Sequence, residues 1–175
     1  MNRIYLGDSY DAVKRLWQQV FVTSAPLYAE PRFIPSELQS DFTALTGIPI
    51  LSAEHPTAFS ILNDPDTGIR LPGEKKQSVS LAHTSVPAIL DQLRVQNPRC
   101  IVTFDQSHHR QHVLNRDEQR LAKMRSLSEA GVFSFYYVSH APFLFAFSNL
   151  DALQEIRALL LHAGIPEKRF EMCNR

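Results

Sequence analysis

Histidines and an acidic residue gather at one point of the chain, where their spacing could support acid–base or metal chemistry. The segment CIVTFDQSHHRQH (100–112) holds three of the seven histidines within five residues: His108, His109 and His112. Imidazoles three or four residues apart share one face of a helical turn, where they can shuttle protons near neutral pH or hold a divalent metal. A metal site also needs a third or fourth ligand at supportive spacing, and the chain has no HExxH or CxxC pattern. We therefore expect acid–base chemistry here and no metal site.

Asp105 follows directly on a predicted apolar strand, and ligands of open α/β sheets bind beyond the carboxyl ends of strands. We expect Asp105 to orient His108 or His109 as general acid or base. Arg110, with His112 close by, is expected to bind an anionic group such as a phosphate or carboxylate. The alternative is a surface loop whose histidines bond to backbone and solvent.

A second candidate is Gly7-Asp8-Ser9, which follows a predicted strand at 3–6 and opens a predicted helix. The run resembles the nucleophile block of the GDS-type hydrolases, in which a serine follows a strand in the same way. Asp105-Gln106-Ser107-His108 matches the spacing of that family's late Asp-x-x-His block. The resemblance implies a hydrolytic reaction with Ser9 as nucleophile, and Ser9 or Asp8 could also contact a bound phosphate.

The sequence departs from that family's pattern in two ways. The Asp-x-x-His block stands about 70 residues before the C-terminus rather than close to it, and Leu62-Asn63-Asp64 lacks the glycine of the family's Gly-x-Asn-Asp block. Both departures weigh against the esterase interpretation. The alternative is that Asp8 or Ser9 caps the helix that follows.

The third candidate is His140, in the link Ser139-His140-Ala141-Pro142 between two apolar predicted strands. The link is too short for a crossover, so the two strands should form an antiparallel hairpin. Aromatic strands on either side would fix the imidazole, and rigid placement is what a catalytic group requires. Asp8, Ser9 and Asp105 are expected at one edge of the sheet, and His140 joins them if its preceding strand runs parallel to the strand before Asp105.

Elements that would position these groups follow from periodicity and caps. Helices are predicted at 9–21, 35–47, 85–95, 115–131 and 149–164, and strands at 3–6, 48–51, 58–62, 77–81, 100–104, 133–138, 143–147 and 169–172, with 22–34 irregular. The C-terminal half therefore reads β-α-β-β-α-β. We predict an α/β fold in which one mixed sheet is packed by helices, as a single domain over 1–175.

Bulk properties exclude several function classes. With 18 basic and 18 acidic residues the formal charge is zero, which disfavours dedicated nucleic-acid binding. No apolar run approaches the length that spans a bilayer. Two cysteines without a CxxC pattern, and no secretory leader pattern, indicate a cytoplasmic protein.

We therefore expect a small cytoplasmic hydrolase-type enzyme. It would act on an anionic or phosphate-containing small molecule through the polar loop after the strand at 100–104. The sequence indicates no particular cofactor. The alternative is a non-catalytic regulatory or protein-interaction domain, which would use the aromatic residues of 26–33 or the basic face of the helix at 115–130.

Overall fold

A six-stranded mixed sheet lies at the centre of the computed structural model, which describes residues 3–73, 83–108 and 112–173. In chain order the strands are β1 (Leu27–Ala29), β2 (Ser60–Asn63), β3 (Gly68–Ile69), β4 (His83–Thr84), β5 (Ile101–Phe104), β6 (Phe133–Tyr137), β7 (Phe143–Phe147) and β8 (Phe170–Met172). The α-helices are α1 (Ser9–Phe21), α2 (Gln39–Thr46), α3 (Val86–Gln96), α4 (Arg116–Glu129) and α5 (Leu150–His162).

Strand order in the main sheet is β1-β2-β5-β7-β6-β8, and β3 and β4 form a separate two-stranded parallel sheet. β1, β2 and β5 run parallel, whereas β7 runs antiparallel to both β5 and β6. Two reversals leave β6 parallel to β5, so the link from β6 to β7 lies at the edge where β2 and β5 end. The predicted α/β class, the β-α-β-β-α-β order and the antiparallel hairpin are confirmed.

Alternation along β5 divides the interior into two cores, because successive strand residues point to opposite faces of the sheet. Val102 and Phe104 face the core beneath α1, α2 and α5, while Ile101 faces the core beneath α3 and α4. The first core is rich in aromatic and large aliphatic side chains, among them Trp17, Phe21, Phe42, Phe135, Phe143, Phe145, Phe147, Leu153 and Ile156. The second contains Ile89, Leu93, Met124, Leu127 and Tyr136.

Side-chain caps start three helices where the sequence predicts them. Asn115 Oδ1 accepts the backbone N–H of Asp117 at 2.9 Å and of Glu118 at 3.0 Å, and Glu118 Oε2 accepts the N–H of Asn115 at 2.7 Å. This reciprocal pair is a capping box. Ser85 caps α3 and Asn149 caps α5 through their side-chain oxygens.

Several predicted strands differ from the structure. Residues 3–6 do not form one: Arg3–Tyr5 is a short 3-10 helix with Ile4 76% and Tyr5 58% exposed, because these residues have no sheet neighbour to pair with. At 48–51 a single bridge joins Ile50 to Ala29. β1 lies within the segment predicted as irregular, β4 was not predicted, and the strand predicted at 77–81 lies outside the described residues.

Candidate functional site

The start of α1, the ends of β2 and β5, and the link between β6 and β7 meet at one edge of the sheet. Tyr10, in the first turn of α1, accepts a hydrogen bond on its hydroxyl from Gln106 Nε2. Its ring stacks on His140 at a centroid distance of 5.7 Å and contacts Phe104 at 5.2 Å. The backbone N–H of Asp105 donates to Pro142 O at 3.0 Å, which joins the link to the end of β5.

Asp105 itself points away from this meeting point, towards the face covered by α3 and α4. The residue is 3% exposed. Oδ2 accepts hydrogen bonds from Lys123 Nζ at 2.7 Å and from Tyr136 Oη at 2.6 Å. Oδ1 accepts the backbone N–H of Ile69 at 2.8 Å and that of Ser107 at 3.2 Å. Burial, and then the neighbouring Asp105 carboxylate, raise the pKa of Tyr136 well above its ordinary value of 10.0, so the phenol is a permanent donor.

This arrangement makes Asp105 the counter-ion of a buried ammonium group. Within the described residues its hydrogen bonds do not reach His108, which is exposed. The predicted role of Asp105 in orienting His108 stays a prediction, and this geometry does not support it. His109, the other imidazole considered for that role, lies outside the described residues together with Arg110.

The Ser107 hydroxyl lies next to the amine of Lys123, an arrangement in which a lysine can activate a serine as a nucleophile. Its Oγ is 2.7 Å from Lys123 Nζ, 2.6 Å from Ile69 O, and in contact with Asp105 Oδ1. A lysine activates a serine only as a neutral amine that can accept the hydroxyl proton. Here the amine is paired with a carboxylate and therefore protonated, while the serine proton is donated to a protein acceptor. Ser107 is a structural hydroxyl in this arrangement.

On the opposite face the same edge contains an open cleft of about 240 Å³, which we call the α1-side cleft. It is smaller than the pockets of roughly 300–1,000 Å³ that hold drug-sized ligands, so a small ligand fits it. Its lining combines aromatic rings with charged and polar groups: Tyr5, Asp8, Tyr10, Lys14, Asp64, Pro65, Asp66, Phe104 and Gln106. Among the described lining residues, three carboxylates against one ammonium give a formal charge of −2.

A buried charged cluster forms the base of the α1-side cleft. Lys14 Nζ donates to Asp11 Oδ1 and to Asp64 Oδ2, both at 2.8 Å, and the three residues are 4%, 3% and 4% exposed, respectively. The backbone N–H of Gly7 donates to Asp11 Oδ2 at 2.7 Å. Two carboxylates therefore share one ammonium, and Asp11 has a second donor and a place in the first turn of α1, where the helix dipole favours negative charge.

Of the two carboxylates in this cluster, Asp64 accepts fewer hydrogen bonds from the described residues than Asp11 does. Burial raises the pKa of the Asp64 carboxyl above its ordinary value of 3.8, and Lys14 offsets only part of that effect. Burial alone would lower the pKa of Lys14, but the attraction of Asp64 and Asp11 outweighs it and raises that pKa above 10.5. Within residues 3–73, 83–108 and 112–173, the hydrogen bond to Asp64 reaches Oδ2 and Oδ1 accepts none. Oδ1 is thus an available acceptor on a nearly buried carboxylate.

The remaining predicted residues divide between structural contacts and this edge. Asp8 is the cap of α1, since its Oδ1 accepts the N–H of Tyr10 at 2.8 Å and that of Asp11 at 3.4 Å, and it also lines the α1-side cleft. Ser9 is exposed as the first residue of α1 and, in the part of the chain that is described, makes no hydrogen bond to a histidine. His112 is exposed, and its Nδ1 accepts the N–H of Leu114 at 3.0 Å.

Sequence reasoning missed Lys14 and Lys123, the two cations on which both charged clusters depend. Each carries a detectable signal, because each stands at helical spacing with large apolar residues. Lys14 precedes Trp17 and Phe21 by three and seven residues, and Lys123 precedes Leu127 by four. A lysine on the buried stripe of a helix predicts a carboxylate partner, since an unpaired buried ammonium is very costly.

Comparison with known proteins adds no functional assignment to this geometry. Among the described residues, no group of three or more His, Cys, Asp or Glu side chains is placed to hold a metal ion. No helix in the described ranges is both long and apolar enough to cross a membrane. The chain matches no protein-family model, no curated protein and no solved structure.

Proposed function

We propose that this chain is a small-molecule-binding protein whose ligand is an organic cation held in the α1-side cleft. The observation that carries the proposal is Asp64, a residue that is 4% exposed and whose Oδ1, at the base of an open cleft, accepts no hydrogen bond from the described residues. Burying an anion without full compensation is costly, so a ligand that brings a positive charge and an N–H donor gains both Coulomb energy and a charge-assisted hydrogen bond.

The rest of the lining suits the same ligand class. Asp8 and Asp66 add negative charge near the opening, and Tyr5, Tyr10 and Phe104 supply ring surfaces. Ring faces attract cations and pack against planar or apolar ligand bodies. The position also fits, because the cleft lies beyond the carboxyl ends of the parallel strands β2 and β5, where ligands of α/β sheets bind.

Lys14 has a supporting function in this proposal. Its two hydrogen bonds fix both carboxylates, and its Nζ lies 5.8 Å from the ring centroids of Phe42 and Phe104. The ammonium thereby favours the ionised form of Asp64 without cancelling the charge of both carboxylates. A hydrolytic reaction, as predicted from the sequence, stays a prediction, and the present proposal concerns binding alone.

Isothermal titration with benzylamine, which is protonated at pH 7.5, and with the neutral benzyl alcohol tests the proposal. Benzylamine is expected to bind and benzyl alcohol to bind at least about tenfold more weakly, a difference of about 1.4 kcal/mol. Benzylamine affinity should fall as the pH is lowered, because the pKa of Asp64 is raised and the protonated carboxyl no longer attracts a cation. Equal affinity for the two compounds would contradict the proposal.

Two variants and a matched control locate the site. Asp8→Asn keeps the helix cap, since asparagine caps as well as aspartate, and it should weaken benzylamine about two- to fivefold. Asp64→Asn should weaken it at least about tenfold. Asp151→Asn removes an exposed carboxylate from the first turn of α5 and should leave the affinity unchanged. If Asp64→Asn does not fold, the test rests on Asp8→Asn. A benzylamine affinity of Asp8→Asn equal to that of Asp151→Asn would then reject the α1-side cleft as the binding site.

A further inference from the structure

A second cavity, of about 140 Å³, lies on the opposite face of the sheet edge from the α1-side cleft. We call it the β3-side cavity, because the small β3–β4 sheet forms one wall and the segment after Asp105 forms another. Its lining is rich in nitrogen donors and hydroxyls: Thr67, Ile69, Arg70, Leu71, His83, Ser107, His108 and Gln119. Among the described residues that line it there is no carboxylate, in contrast to the cleft.

Strand pairing places the basic residues of this cavity together. β3 and β4 pair in parallel with Gly68 opposite His83, and the N–H of Arg70 donates to Thr84 O at 3.0 Å. Arg70 therefore directly follows β3, two residues after Gly68, which pairs with His83 of β4. Arg32 Nη2, which donates to His83 O at 3.3 Å, adds a further positive charge beside the same residue.

The wall on the β5 side is held by the Asp105 network. Ser107 Oγ accepts from Lys123 Nζ at 2.7 Å, and the N–H of Ile69 donates to Asp105 Oδ1 at 2.8 Å. Since Asp105 and Lys123 neutralise each other, their pair adds no net charge to the cavity. His108 follows Ser107 and is exposed, so the described basic side chains that line this cavity are Arg70, His83 and His108.

We infer that the β3-side cavity binds an oxyanion, a phosphate group or a carboxylate group, with Arg70 and His108 as its principal ligands. A guanidinium presents a planar pair of donors that matches the oxygens of either group. Imidazoles donate through N–H and gain charge when protonated. The cavity is of a size for one such group rather than for a whole metabolite, and the rest of the ligand would extend into solvent.

NMR titration of the imidazole signals at pH 6.0 tests this inference, with sodium phosphate, sodium acetate and sodium chloride added at matched ionic strength. Saturable shifts of His83 and His108 with phosphate or with acetate, and not with chloride, are expected. Whichever of phosphate and acetate binds more tightly identifies the class of oxyanion. Shifts that are linear and equal for all three salts would show only a response to ionic strength and would overturn the inference.

Variants separate this site from other basic surface. Arg70→Gln and His108→Gln should each weaken the bound oxyanion at least about threefold. Arg94→Gln, which removes an exposed arginine paired with Asp91 on α3, should not change its affinity. His108 is exposed, so its variant keeps the test informative if Arg70→Gln does not fold. Equal affinities in all three variants would reject the cavity. Asp8→Asn, which probes the cleft, should leave oxyanion binding unchanged, so the two proposals fail independently.

Discussion

Replacing Lys123 by methionine tests whether the Asp105 network stabilises the fold as a charge pair. Both side chains are 1% exposed, and Nζ lies 2.7 Å from Asp105 Oδ2. Methionine has nearly the length of the lysine stem but no charge. Among the described residues, the substitution therefore leaves the buried carboxylate with neutral donors: the hydroxyls of Tyr136 and Ser107 and the backbone N–H groups of Ile69 and Ser107. Breaking a buried pair from one side costs about 3–5 kcal/mol. This is a large share of the ~5–15 kcal/mol by which domains are stable.

A double-mutant cycle separates the charge pair from other losses. Asp105→Asn alone leaves the ammonium without its counter-ion and should cost a similar amount, while its Oδ1 still accepts the N–H of Ile69. The double variant Asp105→Asn with Lys123→Met contains neither charge. We expect it to be no less stable than either single variant, which corresponds to a coupling free energy of at least about 3 kcal/mol.

Urea denaturation followed by circular dichroism at pH 7 supplies the four free energies of unfolding. Arg94→Met serves as control, because Arg94 forms an exposed pair with Asp91 and its loss should change stability by less than about 0.5 kcal/mol. If Lys123→Met does not fold, a cooperative unfolding transition of the double variant would still show that removing both charges is less costly than removing the lysine alone. Effects that add to within about 0.5 kcal/mol would refute the charge-pair explanation.

Three further predictions concern the backbone, the alkaline pH range and a helix cap. Gly68→Ala should lower the free energy of unfolding in urea by at least about 2 kcal/mol, because a Cβ there would stand 2.2 Å from Asp105 Oδ1 at a φ of +132°. Gly131→Ala is the control: its φ is +79° and a Cβ there would have nothing within 4 Å, so the loss should be about 1 kcal/mol. Because the pKa of Tyr136 is raised in the folded state, the phenol of the unfolded chain ionises above pH 10.0 while the folded one stays protonated. Its contribution to the free energy of unfolding is therefore fully present below that pH and is lost as the pH rises above it. Between pH 9 and pH 11, the free energy of unfolding of Tyr136→Phe should fall by about 1.4 kcal/mol less than that of the wild type. Asn115→Ala should lower the melting temperature through a loss of about 1 kcal/mol, and no change would show that the capping box does not stabilise α4.

Local signals in the sequence account for the parts of the fold that were predicted well. Asn115 with Glu118 three residues on, Ser85 before Pro87, and Asn149 before an apolar stripe each place a helix start within a few residues, because caps bond to their own helix. The 4-residue link from Ser139 predicts a hairpin for a similarly local reason, since no crossover fits in that length.

Elements that depend on distant pairing were missed. β1 has three residues between Pro26 and Pro31, with no alternation long enough to distinguish it from a loop. It is a strand because Leu27, Tyr28 and Ala29 pair with β2 more than 30 residues later. The opposite error occurred at residues 3–6, where an apolar composition suggested a strand that has no partner. Sequence periodicity reports which residues tend to be buried, and it does not report what lies opposite them.

The sequence predicts both the sheet edge that holds the candidate sites and, through strand alternation, the face to which each side chain at that edge points. Asp105 was singled out because it follows a strand, and that position is indeed at the edge. Strand alternation already implies that Asp105 and Gln106 point to opposite faces. Counting from the apolar Phe104, which faces α1, assigns Gln106 to the α1 side and Asp105 to the side of α4, where Lys123 lies. The same count places Asp105 on the opposite face of the sheet from Ser9 and Asp8, which lie at the start of α1.

Strand alternation at the end of β5 contributes to the separation of two sites of opposite charge at one short edge. At the end of β5, Phe104 and Gln106 line the α1-side cleft, whereas Ser107 lines the β3-side cavity. In the segment after β2, Asp64 and Asp66 line the cleft and Thr67 lines the cavity. Carboxylates thus outnumber cations among the described residues that line the cleft, whereas the described lining of the cavity contains basic side chains and no carboxylate. Opposite charges on one packed face pair with each other, as Lys14 does with Asp64 and Lys123 with Asp105. The two proposed sites therefore depend on the charge that these pairs leave over on each face.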